Sequence, residues 1–527
     1  MPKTRRLLNK EITLSAALND ESNILQKLTY WEKRDRLYDH VLRHSESIQA
    51  ITAHHLGLGN SSACIISRPQ EWLHGSFNLC VPMTIEDWKK RIMIRFPLSY
   101  RVGEEVCPGN GDEKIRCEAA TYAWLEENCP TVPIPQLYGF GLSTGRQFTC
   151  VRNLSFVCRW YYNVRCAVRR WLGYAVPSRY VPHQTNDHHL KELDLGYVLI
   201  EYIEDDRGKM LSTTWDEQRH DAERRTNLFR SLSRILLDIA RIELPRIGSF
   251  TIDDDGMLSL TNRPLNVEIQ DYENQGIPTG IPRDYTYATT DSYVTDLLSF
   301  HENRLRFQPN GATHEADCVY QMCALTLMRA LSTHFMRRDL RRGPFVLDFT
   351  DLHKSNIFVD DQWNITCLVD LEWACSHPIE MVQPPWWLTD RSLDTLKREE
   401  YDPIRSEFMQ ALKLEEAECI KIRRDNFLKG QKHNSLQLST VMQQSWDSGT
   451  FFFVWAVQSC SCLCGLFYEH IQPLFAKNHL DDDNPFFTIM MRYTSTNVMG
   501  FAVMKTKDKE DYDERLRKEF ESLEEED

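Results

Sequence analysis

The chain has 527 residues, 42% hydrophobic and 26% charged, which excludes disorder as its main state and leaves room for two or more lobes. A formal net charge of −14 speaks against a nucleic-acid binder, which would present a basic domain, and suits a neutral or cationic small-molecule partner. Sixteen cysteines are scattered along the chain, and Met1–Lys10 runs into Glu11 without an apolar core; both fit reduced thiols in the cytoplasm.

Residues 1–69 are read as a helical N-terminal extension, since the acids Glu11, Asp20 and Glu21 follow the basic start too soon for a transit peptide. Trp72–Val81, interrupted by Gly75, and Ile92–Ile94, closed by Pro97, predict extended segments of a small antiparallel sheet. Glu113–Asn128 carries Ile115, Ala119, Tyr122 and Leu125 at three-to-four spacing before Pro130 stops it, which predicts one helix against that sheet. Residues 146–186 interleave seven arginines with Trp160, Tyr161, Tyr162 and Trp171. That mixture would suit RNA or an anionic membrane, and the expectation adopted is an amphipathic insertion that packs its aromatics on the lobe. Leu195–Ile203 reads as a buried strand, and Glu204–Lys209 as a charged linker.

Beyond the linker the period becomes helical. Leu228, Leu232, Ile235, Leu236, Ile239 and Ile242 form one stripe, and helical patterns return at Tyr293–Leu305, Cys318–Phe335, Asp394–Leu414 and Thr440–His470. Within the last, Phe451–Phe467 is too short and too interrupted by Gln458, Ser459 and Ser461 to span a membrane, so a buried core helix is expected. Cys460, Cys462 and Cys464 would then point around that helix as core packing rather than converge on zinc. Lys505–Asp527 reads as a solvated helix or frayed tail. The expectation is an α+β, bilobal plan: a sheet-rich lobe over 70–203, a mainly helical lobe over 204–475 and a charged C-terminal segment over 476–527.

The strongest chemical signal is PFVLDFTDLHKSNIFVDDQWNITCLVDLEWA, Pro344–Ala374. The apolar run Phe345–Leu347 delivers a loop holding Asp351 and Asn356, and a hairpin from Ile357–Val359 to Ile365–Val369 leads to Asp370. Phosphoryl transfer needs a carboxylate to orient the attacking hydroxyl and oxygen ligands to hold magnesium on the phosphates; Asp351, Asn356 and Asp370 are the right types.

This block resembles the catalytic loop and metal segment of the aminoglycoside phosphotransferase and choline kinase-like families, with fungal phosphotransferase-family proteins sharing the DLH, SNIFVD and DLEWA blocks over roughly residues 70–470. Asp351, His353 and Asn356 match a D-x-H-x-x-N loop, and Asp370 with Glu372 a D-x-E segment. The resemblance implies a protein-kinase-like fold, ATP and Mg2+ as cofactors, Asp351 as catalytic base, Asn356 and Asp370 as metal ligands and Glu372 as a further metal contact. It also places Gly75 and Ser76 over the phosphates, Arg95 on the α- and β-phosphates with Glu118 as its partner, and Glu201 to Ile203 on the hinge facing adenine. Two departures stand out: Phe349 occupies the place of a loop-bracing histidine, and Arg95 that of a lysine, whose compact ammonium holds phosphate differently from a planar fork.

The reading is therefore a phosphotransferase acting on a hydroxyl of a small-molecule acceptor, with no nucleic-acid partner and no membrane span. The alternative is a catalytically degenerate ATP-binding pseudokinase or regulatory module. A protein kinase fits less well, because SHPIEMVQPPWW follows Asp370 where an APE-like segment would stand. Trp386 and Trp387 in that stretch are expected to pack rather than to cage a cation.

Overall fold

A computed structural model describes residues 4–184, 193–426, 436–476, 486–494 and 497–521. Its main sheet has eight antiparallel strands: β1 (Cys64–Ile66), β2 (Leu73–His74), β3 (Asn78–Ile85), β4 (Lys90–Pro97), β5 (Leu137–Gly141), β6 (Arg146–Cys150), β7 (Tyr180–Gln184) and β8 (Tyr197–Glu201). The order is β1-β3-β4-β8-β5-β6-β7, with β2 on β3. Strand β8 is last in sequence yet lies between β4 and β5, which is why its run is apolar on both faces. Helix α1 (Asn110–Asn128) opens at Gly109, whose φ of 92° is left-handed, and carries Asp112 and Glu113 in its first turn, where the helix dipole favours acids. It packs on the Ser249–Ile252 strand of a hairpin that turns at Asp253–Gly256.

The predicted helical half is present: α2 (Ala222–Ala240) is capped by the Asp221 carboxylate and buries Leu228, Leu232, Ile235 and Ile239, and Thr290–Phe307 and Glu315–Phe335 follow. The largest buried cluster runs without a break from Met93 and Phe140 of the sheet to Leu228 and Phe453 of the helices, so the sheet-rich and helix-rich parts share one core.

Three expectations need correction. The first concerns the single helix expected over Thr440–His470, which divides into Leu438–Ser448 and Thr450–Gln458 at Gly449, a left-handed C-cap at φ 80°, and breaks again after Gln458. Phe451–Val454 are buried as expected, but Cys460 and Cys462 sit in the second break, where the Cys460 amide donates to Glu268 Oε2 at 2.8 Å.

The second is the tail. Residues 522–527 lie outside the described residues, but Val498–Glu521 is a helix with one dry face: Tyr512, Leu516 and Phe520 bury against Leu7, Ile12, Ile24 and Leu28 of the N-terminal segment. Lys505, fully buried, donates to the Gln308 carbonyl at 2.8 Å and to Asp508 at 2.9 Å. The apolar residues are sparse among charges and find their cover hundreds of positions away, so local composition could not reveal it. Leu516→Ala is expected to cost about 2–5 kcal/mol by leaving a cavity between the two chain ends, read as a lowered urea midpoint.

The third is the basic–aromatic insertion. It forms helix α3 (Phe156–Trp171), but Phe156, Trp160, Tyr161 and Trp171 face solvent instead of the sheet, and Cys166 alone in the helix is buried.

Candidate functional site

Two antiparallel pairs build the site: β9 (Phe345–Phe349) with β12 (Ala374–Pro378), and β10 (Ile357–Val359) with β11 (Ile365–Leu368). Phe349 lies opposite Ala374 and Ile357 opposite Leu368, so the loops 350–356 and 369–373 leave from the same end. Asn356 Nδ2 donates to the Asp351 carbonyl at 2.8 Å, and the Val369 amide to the Asn356 carbonyl at 3.0 Å. Asp351, Asn356 and Asp370, separated in sequence by a hairpin, are thereby neighbours.

Phe349 stands at the head of this loop, and neighbouring side chains brace it. Thr350 Oγ1 donates to the Trp373 carbonyl at 2.7 Å, tying loop 350–356 to loop 369–373. Trp387 Nε1 donates to the Leu352 carbonyl at 2.7 Å, so Trp387 packs as a brace. His353 Nδ1 accepts from the Ser355 amide at 3.2 Å and its Nε2 stands 3.7 Å from Asp351 Oδ1, the geometry of a loop brace.

Burial pushes the Asp351 carboxyl up to about 7, helped by repulsion from Glu372 and Asp370 and opposed by the Asn356 side chain. Asp370 is held at φ 58° and ψ 57°, a left-handed conformation that costs a non-glycine residue energy and turns its carboxylate outward, 41% exposed. Strained carboxylates of this kind concentrate at functional sites.

Behind Asp370 lies a dry charge cluster. Arg95 of β4, 3% exposed, donates to Glu118 Oε1 at 2.9 Å, Asp370 Oδ1 at 2.6 Å and Glu372 Oε2 at 2.8 Å. The expected Arg95–Glu118 pair is therefore formed, between a strand and the helix that follows it. Glu372 is enclosed: its Oε2 also accepts from Asn78 Nδ2 at 2.6 Å and from Lys114 Nζ at 2.7 Å. Burial alone would raise the Glu372 carboxyl, but Lys114 and Arg95 outweigh it and hold it below the usual range. For Glu118, burial, with repulsion from Glu372, wins over Arg95 and its carboxyl is raised.

Lys114 and Asn78 are the two members that sequence reasoning missed. Lys114 is fully buried on α1, one turn before Glu118, and donates to Asn78 Oδ1 at 2.7 Å with the Trp373 ring 5.6 Å away. The available signal was a lysine four residues before Glu118 beside Ile115 and Ala119, on the face of the helix that ought to be apolar. Asn78 stands two residues after Ser76, expected with Gly75 over the phosphates. Gly75 and Ser76 lie in the turn between β2 and β3: the Gly75 amide donates to the Asn78 carbonyl at 2.9 Å, and the Ser76 carbonyl accepts from Arg101 Nε at 2.9 Å. Next to them Phe77 is buried edge-on against Trp373, 5.1 Å between ring centroids.

At the end of β8, expected to face adenine, the Glu201 amide donates to the Gln136 carbonyl at 2.9 Å and its carboxylate pairs with Arg207 at 2.5 Å, so both are engaged within the protein. Ile203 follows β8 in a half-buried loop. A cavity of about 80 Å3 lies beside Asp351, lined by Phe349, Leu352, Trp386, Trp455 and Gln458. Among the described residues no group of three or more His, Cys, Asp and Glu side chains is arranged to hold a metal. Asp370 and Asn356, on the two loops that leave from this end, carry side-chain oxygens, the donor type a hard cation such as magnesium takes beside waters and phosphates.

No protein-family profile matches the chain, and no curated protein sequence matches it. Among solved structures, the Plasmodium vivax ethanolamine kinase Pv091845 is similar at 11% identity, over 86% of this chain and 83% of its own, with a TM-score of 0.34. Similarity at that score defines no shared fold or chemistry. Among the described residues no helix is long and apolar enough to cross a membrane.

Proposed function

We propose that the chain is an ATP- and magnesium-dependent phosphotransferase of the aminoglycoside phosphotransferase and choline kinase-like type, moving the γ-phosphate to a hydroxyl of a small-molecule acceptor. The observation that carries this reading is the convergence of Asp351, Asn356 and the left-handed Asp370 at one end of two paired strands, with Arg95 bonded to Asp370. Magnesium held by Asp370 and Asn356 would neutralise charge on the β- and γ-phosphates. Asp351 would orient the acceptor hydroxyl and take its proton, and burial keeps its carboxylate poorly hydrated and hence more basic. Arg95 would offer its guanidinium to the phosphates, kept in place by Glu118 on the neighbouring helix. Lys114 and Asn78 would fix Glu372, which in turn positions Arg95, so Glu372 serves here as an anchor for cations rather than as a direct metal contact.

A degenerate scaffold is the second reading, favoured by one observation: Arg95 is 3% exposed and engages three carboxylates, so phosphates must compete with Asp370 and Glu372 for it. Calorimetric titration of ATP tests the active reading without the acceptor being known. The active reading expects binding that depends on magnesium; absence of binding in either condition rejects it and leaves the degenerate scaffold.

A further inference from the structure

Helix α3 presents to solvent what a soluble domain normally hides. Phe156, Val157, Trp160, Tyr161, Val164, Val168 and Trp171 recur every three to four residues and so share one face. That face is open: Phe156 is 74% exposed, Trp160 60%, Tyr161 64% and Trp171 85%. The opposite side holds the helix to the protein, through buried Cys166 and through the Tyr162 hydroxyl, which donates to the carbonyls of Pro177 at 3.1 Å and Ser178 at 3.0 Å. Ser155 caps the helix, its Oγ accepting from the Cys158 amide at 3.4 Å, and Arg169 Nε closes its far end on the Ala175 carbonyl at 2.7 Å. The apolar face is therefore fixed outward by the folded chain.

Charge says what covers it. At about 100° per residue, Arg159 and Arg170 fall along one edge of the apolar face and Arg165 and Arg169 along the other. Residues 146–186 contain seven arginines and no Asp or Glu, in a chain that carries 76 acids and a net charge of −14. Stacking on RNA bases would call for aromatics set among the cations, whereas here Val157, Val164 and Val168 fill the face between the aromatics and the cations stand at its margins. Trp, Tyr and Val on one side with arginine on both flanks is the distribution of a helix lying in a lipid headgroup layer. At 16 residues it is too short to span.

We propose that α3 docks this protein in-plane on the surface of a bilayer containing anionic phospholipid, its apolar face among the acyl chains and its arginines on the headgroup phosphates. The proposal is independent of the chemistry at Asp351. Its test is sedimentation of the full chain with vesicles of phosphatidylcholine alone and of phosphatidylcholine with phosphatidylserine. Binding is expected to the anionic vesicles only, weakened by salt, with a blue shift of tryptophan emission. Replacing Arg165 or Arg170 by glutamine is expected to weaken partitioning about fivefold each. The triple variant W160E/V164E/W171E, altered only at side chains that face away from the protein, is expected to keep its circular dichroism melt and lose vesicle binding. Failure of the wild-type chain to sediment with anionic vesicles, or undiminished binding by the triple variant, overturns the proposal. RNA binding, or a monomer–dimer equilibrium abolished by the triple variant, observed without vesicle binding, also overturns it and assigns the face to that partner.

Discussion

Asp351→Asn is expected to lower phosphoryl transfer by about 10²–10⁴-fold while leaving magnesium-dependent ATP binding intact. The asparagine keeps the size of the side chain and the backbone carbonyl that receives Asn356 Nδ2, so the loop geometry survives. What it loses is the only role the proposed mechanism gives this carboxylate, holding the acceptor hydroxyl and taking its proton. Single-turnover assays with an acceptor that carries the free hydroxyl, set beside calorimetry of ATP, separate the chemical step from nucleotide binding. An equal loss of both would place Asp351 in nucleotide binding and remove it as the base. Full retention of transfer would remove it from the reaction altogether.

The second large effect is on stability. Glu372→Leu is expected to destabilise the fold by about 3–5 kcal/mol, because it strands Arg95 and Lys114 in a dry interior with one anionic partner fewer. Glu372→Gln should cost less, since an amide oxygen can still accept from Asn78 and Lys114. Because Lys114 and Arg95 hold the folded-state carboxyl below its ordinary value, the cluster's contribution is complete above the unfolded carboxylate pKa and is lost as pH falls through the folded one. The wild-type urea midpoint should therefore drop on acidification, and the drop should shrink in Glu372→Leu. A Glu372→Leu protein as stable as the parent would show that the cluster contributes nothing net, the outcome when desolvation cancels attraction.

Much of the site was legible because it is local. Asp351, Asn356 and Asp370 lie within one strand–loop–hairpin stretch, and alternating apolar runs with polar turns reveal which side chains gather at its end. The Arg95–Glu118 pair was also within reach, one strand and one helix apart. Lys114 was not, since a lone lysine in a helix is ordinarily at the surface, and its burial makes sense only once Glu372, 258 residues later, is beside it. The support of the loop was likewise hidden: Thr350 reaching Trp373 and Trp387 reaching Leu352 require the folded chain.

By itself the sequence determined the extended or helical kind of several segments, the helices around Glu113–Asn128, Leu228–Ile239, Tyr293–Leu305 and Cys318–Phe335, and the chemical types available at the Asp351 loop, because periodicity, prolines and capping residues act over a few positions. Tertiary structure alone decided which faces are covered. It buried the charged-looking tail against the N-terminal segment, broke the long C-terminal helix at Gly449, enclosed Glu372 between two cations and left the aromatic face of α3 open to solvent. Burial depends on which distant surface arrives opposite a given face, and that is a property of the whole chain's packing rather than of any local run of residues.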